Sequence, residues 1–283
     1  MSNLGFHCHD LNLFDEMIIG NGLHRGEFYN LRAEELPRLK RLIAVNNLKW
    51  SIHVPLVKLD WYPQPPTWSF LCDPDREKRE LTMKMIKLSM QHADEFGAEY
   101  IVVHFPAPTA EEHQESKEKL QSIAWKTCDS LAELSLKWKM PIHVEGVGAS
   151  PLIDVEFLAP LLKDYAPPLR YCFDTAHTKL ASLSNGFDLY EFERQLLPYF
   201  GSVHLWNTRG KHDYETYRHI PVHPSQSAAD GWVDIAKVLQ ILGSAKSSLP
   251  IIFESDRLYP EALGEFDYRE GVAWVKNLVE TLS

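Results

Sequence analysis

Six short apolar runs in this chain each carry, at or near the C-terminal end, a residue of a type that binds metal. They are Ser51–Val54 with His53, Ile101–Phe105 with His104, Pro141–Gly146 with Glu145, Arg170–Thr175 with Asp174, Ser202–Leu205 with His204 and Pro250–Ser255 with Glu254. Amphipathic stretches separate the runs, so successive candidate ligands lie roughly 30–50 residues apart, the reach of one or two βα units. In a (β/α)8 barrel all parallel strands end on one face, and residues so distant in sequence would meet at one mouth. This pattern predicts an α/β chain folded as a single (β/α)8 TIM barrel over residues 1–283, with an enzyme's site at the C-terminal face.

Eight strand candidates fit that fold: Leu4–Cys8, Gly26–Tyr29, Trp50–Val54, Tyr100–Phe105, Ile142–Glu145, Arg170–Asp174, Ser202–Leu205 and Ile251–Glu254. Their near-continuous apolar character suits strands covered on both faces. The first two are short, with ambiguous flanks. Helical periodicity marks Ala33–Asn46, Asp75–Phe96, Glu112–Lys139, Val233–Leu242 and Gly271–Leu282. In the second of these Leu81, Met85, Leu88 and His92 form one stripe, expected to face the core. No repeat, linker or low-complexity tract divides the chain.

Two connections are long. Pro55–Pro74 is rich in aromatic residues and proline, and Trp206–Gly231 holds His212, His219 and His223. Both follow strands and so belong to the functional face; the first is expected to pack against a helix or a subunit, or else to act as a lid. Cys8, Cys72, Cys128 and Cys172 form no C-x-x-C and are expected to be small buried hydrophobes. A net charge of −10 argues against a dedicated nucleic-acid binder, although a local cationic rim or bound metal can reverse the field at a site. No run reaches the roughly 20 apolar residues of a membrane span. Met1–Phe14 lacks the pattern of a secretory signal, which makes the cytoplasm the expected compartment.

Side chains alternate along a strand, so His143 and Glu145 share a face, as do Cys172 and Asp174. Three carboxylates and three histidines meeting above a packed layer cannot stay buried unpaired without a cost of several kcal/mol or a shift in protonation. Divalent cations reconcile them, and the mixture of imidazole and carboxylate suits Zn²⁺, Mn²⁺ or Fe²⁺ rather than Ca²⁺.

The ordered set SIHVP, VVHFP, HVEGVG, CFDTAH, VHLWN and IIFES resembles the xylose isomerase-like TIM barrels, specifically their endonuclease IV branch, over nearly the whole chain. That resemblance implies Glu145, Asp174, His204 and Glu254 as the metal ligands shared across the superfamily, sugar epimerases included. It further implies His53, His104, His177 and His219 as the added ligands of a two- or three-zinc centre bridged by Glu145. The chain departs from that branch at Tyr217-Arg218-His219, where an aspartate is expected at the first position, with Asp213 a possible substitute. Gly146-Val147 and Pro55-Leu56-Val57 also lack the branch's polar and DNA-facing residues.

Two chemistries follow. The first is zinc-dependent hydrolysis of a phosphodiester, in which Glu145 bridges two cations while His177 and Arg218 meet the phosphate. The substrate would be a small molecule sooner than abasic DNA. The alternative is isomerisation or epimerisation of a sugar or sugar phosphate, or a related lyase reaction, with one Mn²⁺ or similar ion. There Glu145 and Glu254 would move a proton at the two faces of an enediolate and His177 would orient the substrate. The hydrolase is the narrow expectation. Trp206, His223 and Gln226 are expected to line the substrate pocket.

Overall fold

The structure, a computed structural model, describes residues 3–65, 67–106, 114–244 and 249–282. Strands β1 (Leu4–Cys8), β2 (Arg25–Phe28), β3 (Lys49–His53), β4 (Ile101–His104), β5 (Ile142–Glu145), β6 (Leu169–Asp174), β7 (Phe200–Leu205) and β8 (Ile251–Phe253) pair in chain order. All pairs are parallel, and β8 returns to β1 through Leu4↔Ile251 and Phe6↔Phe253, so the sheet closes into a barrel. Every expected strand is present, with ends displaced by a residue or two.

Helices fill the connections: α1 (Leu36–Asn46), α2 (Arg76–Phe96), α3 (Lys117–Trp138), α4 (Val155–Tyr165), α5 (Thr175–Asn185), α6 (Leu189–Leu196), α7 (Lys211–Tyr217), α8 (Ile235–Gly243) and α9 (Tyr268–Leu282). Local chemistry sets many of their limits. Asp75 accepts from the Glu77 amide at the start of α2, and Gly97 takes a left-handed φ of 74° at its end. Ser116 caps α3, whereas the expected start of that helix at Glu112 lies outside the described residues.

Periodicity alone missed α4, α5 and α6. Pro160 sits inside α4, and α5 begins directly after the last residue of β6, leaving no turn to announce it. The stripe buried by α2 is Thr82, Met85, Ile86, Ser89, Met90 and Ala93, rotated from the one expected and sharing Met85 with it.

Outward-facing strand residues and the helices form one large apolar core. The barrel interior is more polar. Tyr100, Val102 and Cys172 form a small separate cluster there, His143 stacks on Tyr100 at 4.1 Å, and Arg25 reaches Glu99 from a nearly closed position. Gly5 makes room for this layer, since a Cβ there would lie 2.8 Å from the Arg25 side chain. All four cysteines are buried.

The connection following β3 packs as structure. Tyr62 donates to or accepts from Thr82 of α2 at 2.8 Å, and Lys84 of the same helix stands over the Trp61 ring. The connection following β7 contains α7, a helix too short for its periodicity to stand out in the sequence. Among the described residues, no helix is long and apolar enough to cross a membrane.

Candidate metal centre

Strand register builds the site. His53, His104, Glu145 and Asp174 are the last residues of β3 to β6, His204 is the penultimate residue of β7, and Glu254 directly follows β8. Neighbouring ends are level: His104 pairs with Glu145, and Asp174 with His204. One donor atom each from Glu145, Asp174, His204 and Glu254 lies within 4.8 Å of the others, and so does one each from His53, Glu145 and His204. The dispersed ligands expected from the sequence do converge.

His204 is the hub. Its Nδ1 lies 2.6 Å from Glu254 Oε2 and 3.2 Å from Glu145 Oε1. Glu145 is divided between two sides: Oε1 meets His204, while Oε2 lies 3.2 Å from His53 Nε2 and 3.7 Å from His104 Nε2. Asp174 caps α5 by accepting from the His177 amide, and its other oxygen accepts from Trp206 Nε1 at 2.6 Å. That second bond gives Trp206, expected as a pocket wall, a partner in Asp174. The indole is fully buried, and it fixes the orientation of a carboxylate.

Burial and charge split the protonation states. Burial and the nearby Glu145 and Glu254 carboxylates push Asp174 well above the usual range. Burial also opposes charge on Glu145 and Glu254, but the surrounding histidines, His204 foremost, together outweigh it and hold both below the usual range. Burial lowers His7 and His104 to about 3 and His177 to about 4, which favours the neutral ring. His7 Nε2, His53 Nδ1, His104 Nδ1, His177 Nδ1 and Glu254 Oε2 are buried without a hydrogen-bond partner. The donor groups formed by Glu145, Asp174, His204 and Glu254, and by His7, His53 and Glu254, fit a divalent cation of the kind that mixed imidazole and carboxylate donors select.

The additional expected ligands are placed less evenly. His177, buried in the first turn of α5, has its ring 6.3 Å from His104 and 6.2 Å from His219. His219 lines the pocket beside Glu254. Tyr217 occupies the position of the missing aspartate, and Asp213 does not replace it. Both Asp213 oxygens are held by Arg209, at 2.6 and 2.9 Å. Arg218 is exposed, in a left-handed backbone conformation, with its guanidinium 5.8 Å from the Tyr214 ring.

His223 and Gln226 have other partners. His223 stacks on Phe266 at 4.1 Å and meets Ser225 and Glu270. Gln226 bonds Asn207, Pro221, Tyr259 and the His223 amide, bracing its own connection.

Two residues at the centre were not read from the sequence. His7 of β1 lies 3.4 Å from Glu254, stacks on Tyr29 at 4.0 Å, and forms a third donor group with His53 and Glu254. Glu27 of β2 is completely buried, 2.8 Å from His204 Nε2. Their runs were short and ambiguous, and the one available signal was an ionisable residue at alternate positions of an otherwise apolar segment. A cavity of about 360 Å³ opens over His7, Tyr29, His219, Glu254 and Asp256.

A family model described as xylose isomerase-like TIM barrel matches residues 5–278. The chain belongs to that family. Solved structures share the fold at low identity. A D-tagatose 3-epimerase-like protein is 17% identical with a TM-score of 0.75, over 100% of this chain and 98% of that one. L-ribulose 3-epimerase is 14% identical with a TM-score of 0.73, over 100% and 96%. A Thermus thermophilus protein soaked with ZnCl2 is 18% identical with a TM-score of 0.64, over 99% and 98%. No curated protein matches the sequence.

Proposed function

We propose that this xylose isomerase-like barrel is a divalent-metal-dependent isomerase or epimerase of a small sugar. The observation that carries the reading is the four-donor group of Glu145, Asp174, His204 and Glu254, gathered at the ends of β5 to β8, with Glu254 also lining a cavity sized for a small molecule. Structural likeness to sugar 3-epimerases supports it over the hydrolase expected from the sequence. The acidic net charge fits it too.

The four donors would hold one cation, which when bound polarises a carbonyl and an adjacent hydroxyl. Glu254 lines the cavity and is held ionised by His204, so it is placed to take a proton from the carbon beside that carbonyl. Glu254 would hand that proton back to the adjoining carbon in an isomerisation; in an epimerisation it would release it to solvent, and Glu145, ionised here, would first take a proton from solvent and then deliver it to the opposite face. His177 would orient a substrate hydroxyl, and Trp206 keeps Asp174 aimed at the cation seat. His7 and Tyr29 form a wall of the cavity against which a sugar ring can lie.

A second reading, dinuclear phosphodiester hydrolysis, is favoured by one observation: the two oxygens of Glu145 serve two donor sets, one of which is His53 with His104. The deciding experiment loads purified protein with Mn²⁺ or Zn²⁺, counts the bound ions and offers D-tagatose, D-psicose and L-ribulose in D2O. One ion per chain, with deuterium entering at a single carbon, is the expected result. Two or three zinc ions with cleavage of a model phosphodiester, and no exchange into any ketose, would replace the isomerase with the hydrolase.

A further inference from the structure

Glu27 is a carboxylate completely buried inside the barrel, on the second strand, far in sequence from every strand-end ligand. Such a group has no low-cost reason to be there. An ionised carboxylate in an apolar interior must be compensated by a partner or become protonated.

Its neighbours define its role. Oε2 accepts a hydrogen bond from Ser51 Oγ at 2.7 Å, and Ser51 is fully buried on β3 at the position paired with Glu27. Oε1 lies 2.8 Å from His204 Nε2, off the line of an ideal hydrogen bond. Arg25, two residues earlier on the same face, makes its ion pair with Glu99 instead. So Glu27 spends one oxygen on a residue that fixes its rotamer and directs the other at one edge of His204. The opposite edge of that ring, Nδ1, faces Glu145 and Glu254.

We infer that Glu27, steadied by Ser51, is a positioning residue that directs Nδ1 of His204 toward the cation seat. A neutral imidazole offers one lone pair and carries one proton, and the group at one nitrogen decides which. A carboxylate beside Nε2 keeps the proton there and leaves Nδ1 free for the cation. Outer-shell carboxylates of this kind typically change metal affinity by about 10–100-fold when removed. The inference rests on the metal-holding reading of the site and is independent of which reaction the site performs.

The test uses ¹⁵N-histidine-labelled full-length protein, chelated and then titrated with Zn²⁺ alone. Wild type is measured first; failure to bind zinc there would refute the metal centre itself, not the role of Glu27. Glu27→Gln, which keeps shape and removes charge, is expected to fold by circular dichroism and to bind zinc about 10–100-fold more weakly. The His204 Nε2–H resonance of the zinc-loaded protein is expected to move upfield as its acceptor weakens. Ser51→Ala retains the carboxylate and is expected to show the same two changes at a few-fold loss. Unchanged zinc affinity and an unmoved His204 resonance in folded Glu27→Gln would overturn the inference. Should that variant not fold, the same null result in Ser51→Ala would do so.

Discussion

Chelation should lower the thermal stability of this protein by an amount that follows from the site's construction. The donors are drawn from positions 145 to 254 and meet only when β5 to β8 are in register, so the unfolded chain cannot bind the cation comparably. A ligand specific to the folded state stabilises it by about 2.7 kcal/mol at a hundredfold excess over Kd and by about 4.1 at a thousandfold. For 283 residues, at about 2.1 cal/mol/K each, the unfolding entropy is about 0.6 kcal/mol/K. The midpoint should therefore rise by about 4–5 °C at the first concentration and about 7 °C at the second, roughly 2 °C per decade. Differential scanning fluorimetry of EDTA-treated protein against stepped Mn²⁺ or Zn²⁺ reads this directly. Asp174→Asn keeps an oxygen for the α5 cap and removes a ligand charge, so most of the shift should vanish in that variant. A midpoint indifferent to metal, or an equal rise in Asp174→Asn, would refute the proposed seat.

Three further outcomes are expected. Glu145→Gln should reduce turnover by on the order of 10²–10⁴-fold under either chemistry, measured as kcat on loaded protein; near-normal activity would remove both mechanisms. His104→Ala should leave ketose exchange within about tenfold, since its contact is with the Glu145 oxygen turned away from His204; loss of all turnover would favour the dinuclear hydrolase instead. Acid stability should depend on His143, which burial depresses to about 3 from an ordinary 6.5. Below pH 6.5 the unfolded state holds the extra proton, so the stability gained from a neutral ring is complete above 6.5 and is lost toward 3. The rate is about 1.4 kcal/mol per pH unit. Urea midpoints of chelated protein from pH 7 to 4.5 should fall less steeply in His143→Asn than in wild type, and parallel curves would contradict this.

The strand-end candidate ligands were legible because each closes a short apolar run, and parallel strands buried on both faces leave that signature undiluted. Glu145 and Asp174 could be placed this way without knowing their neighbours. His7 and Glu27 could not, since in β1 and β2 the apolar run is broken by residues that face the polar barrel interior. Trp206 illustrates a different loss. It was expected as a pocket wall, and its bond to Asp174 is a contact between strands that no local pattern announces. His223 and Gln226 were plausible as ligands of a substrate because nothing in a polar loop says that its hydrogen bonds are already taken.

By itself the sequence determined the order of βα units and the residue types delivered to one face, because alternation and apolar runs are local properties of the chain. The tertiary structure alone decided which ring nitrogen meets which carboxylate, that Glu145 divides its oxygens, and that Glu27 stands behind His204. Those facts depend on barrel closure, which sets distances between strands that share no local sequence, and on burial, which makes each such distance count electrostatically.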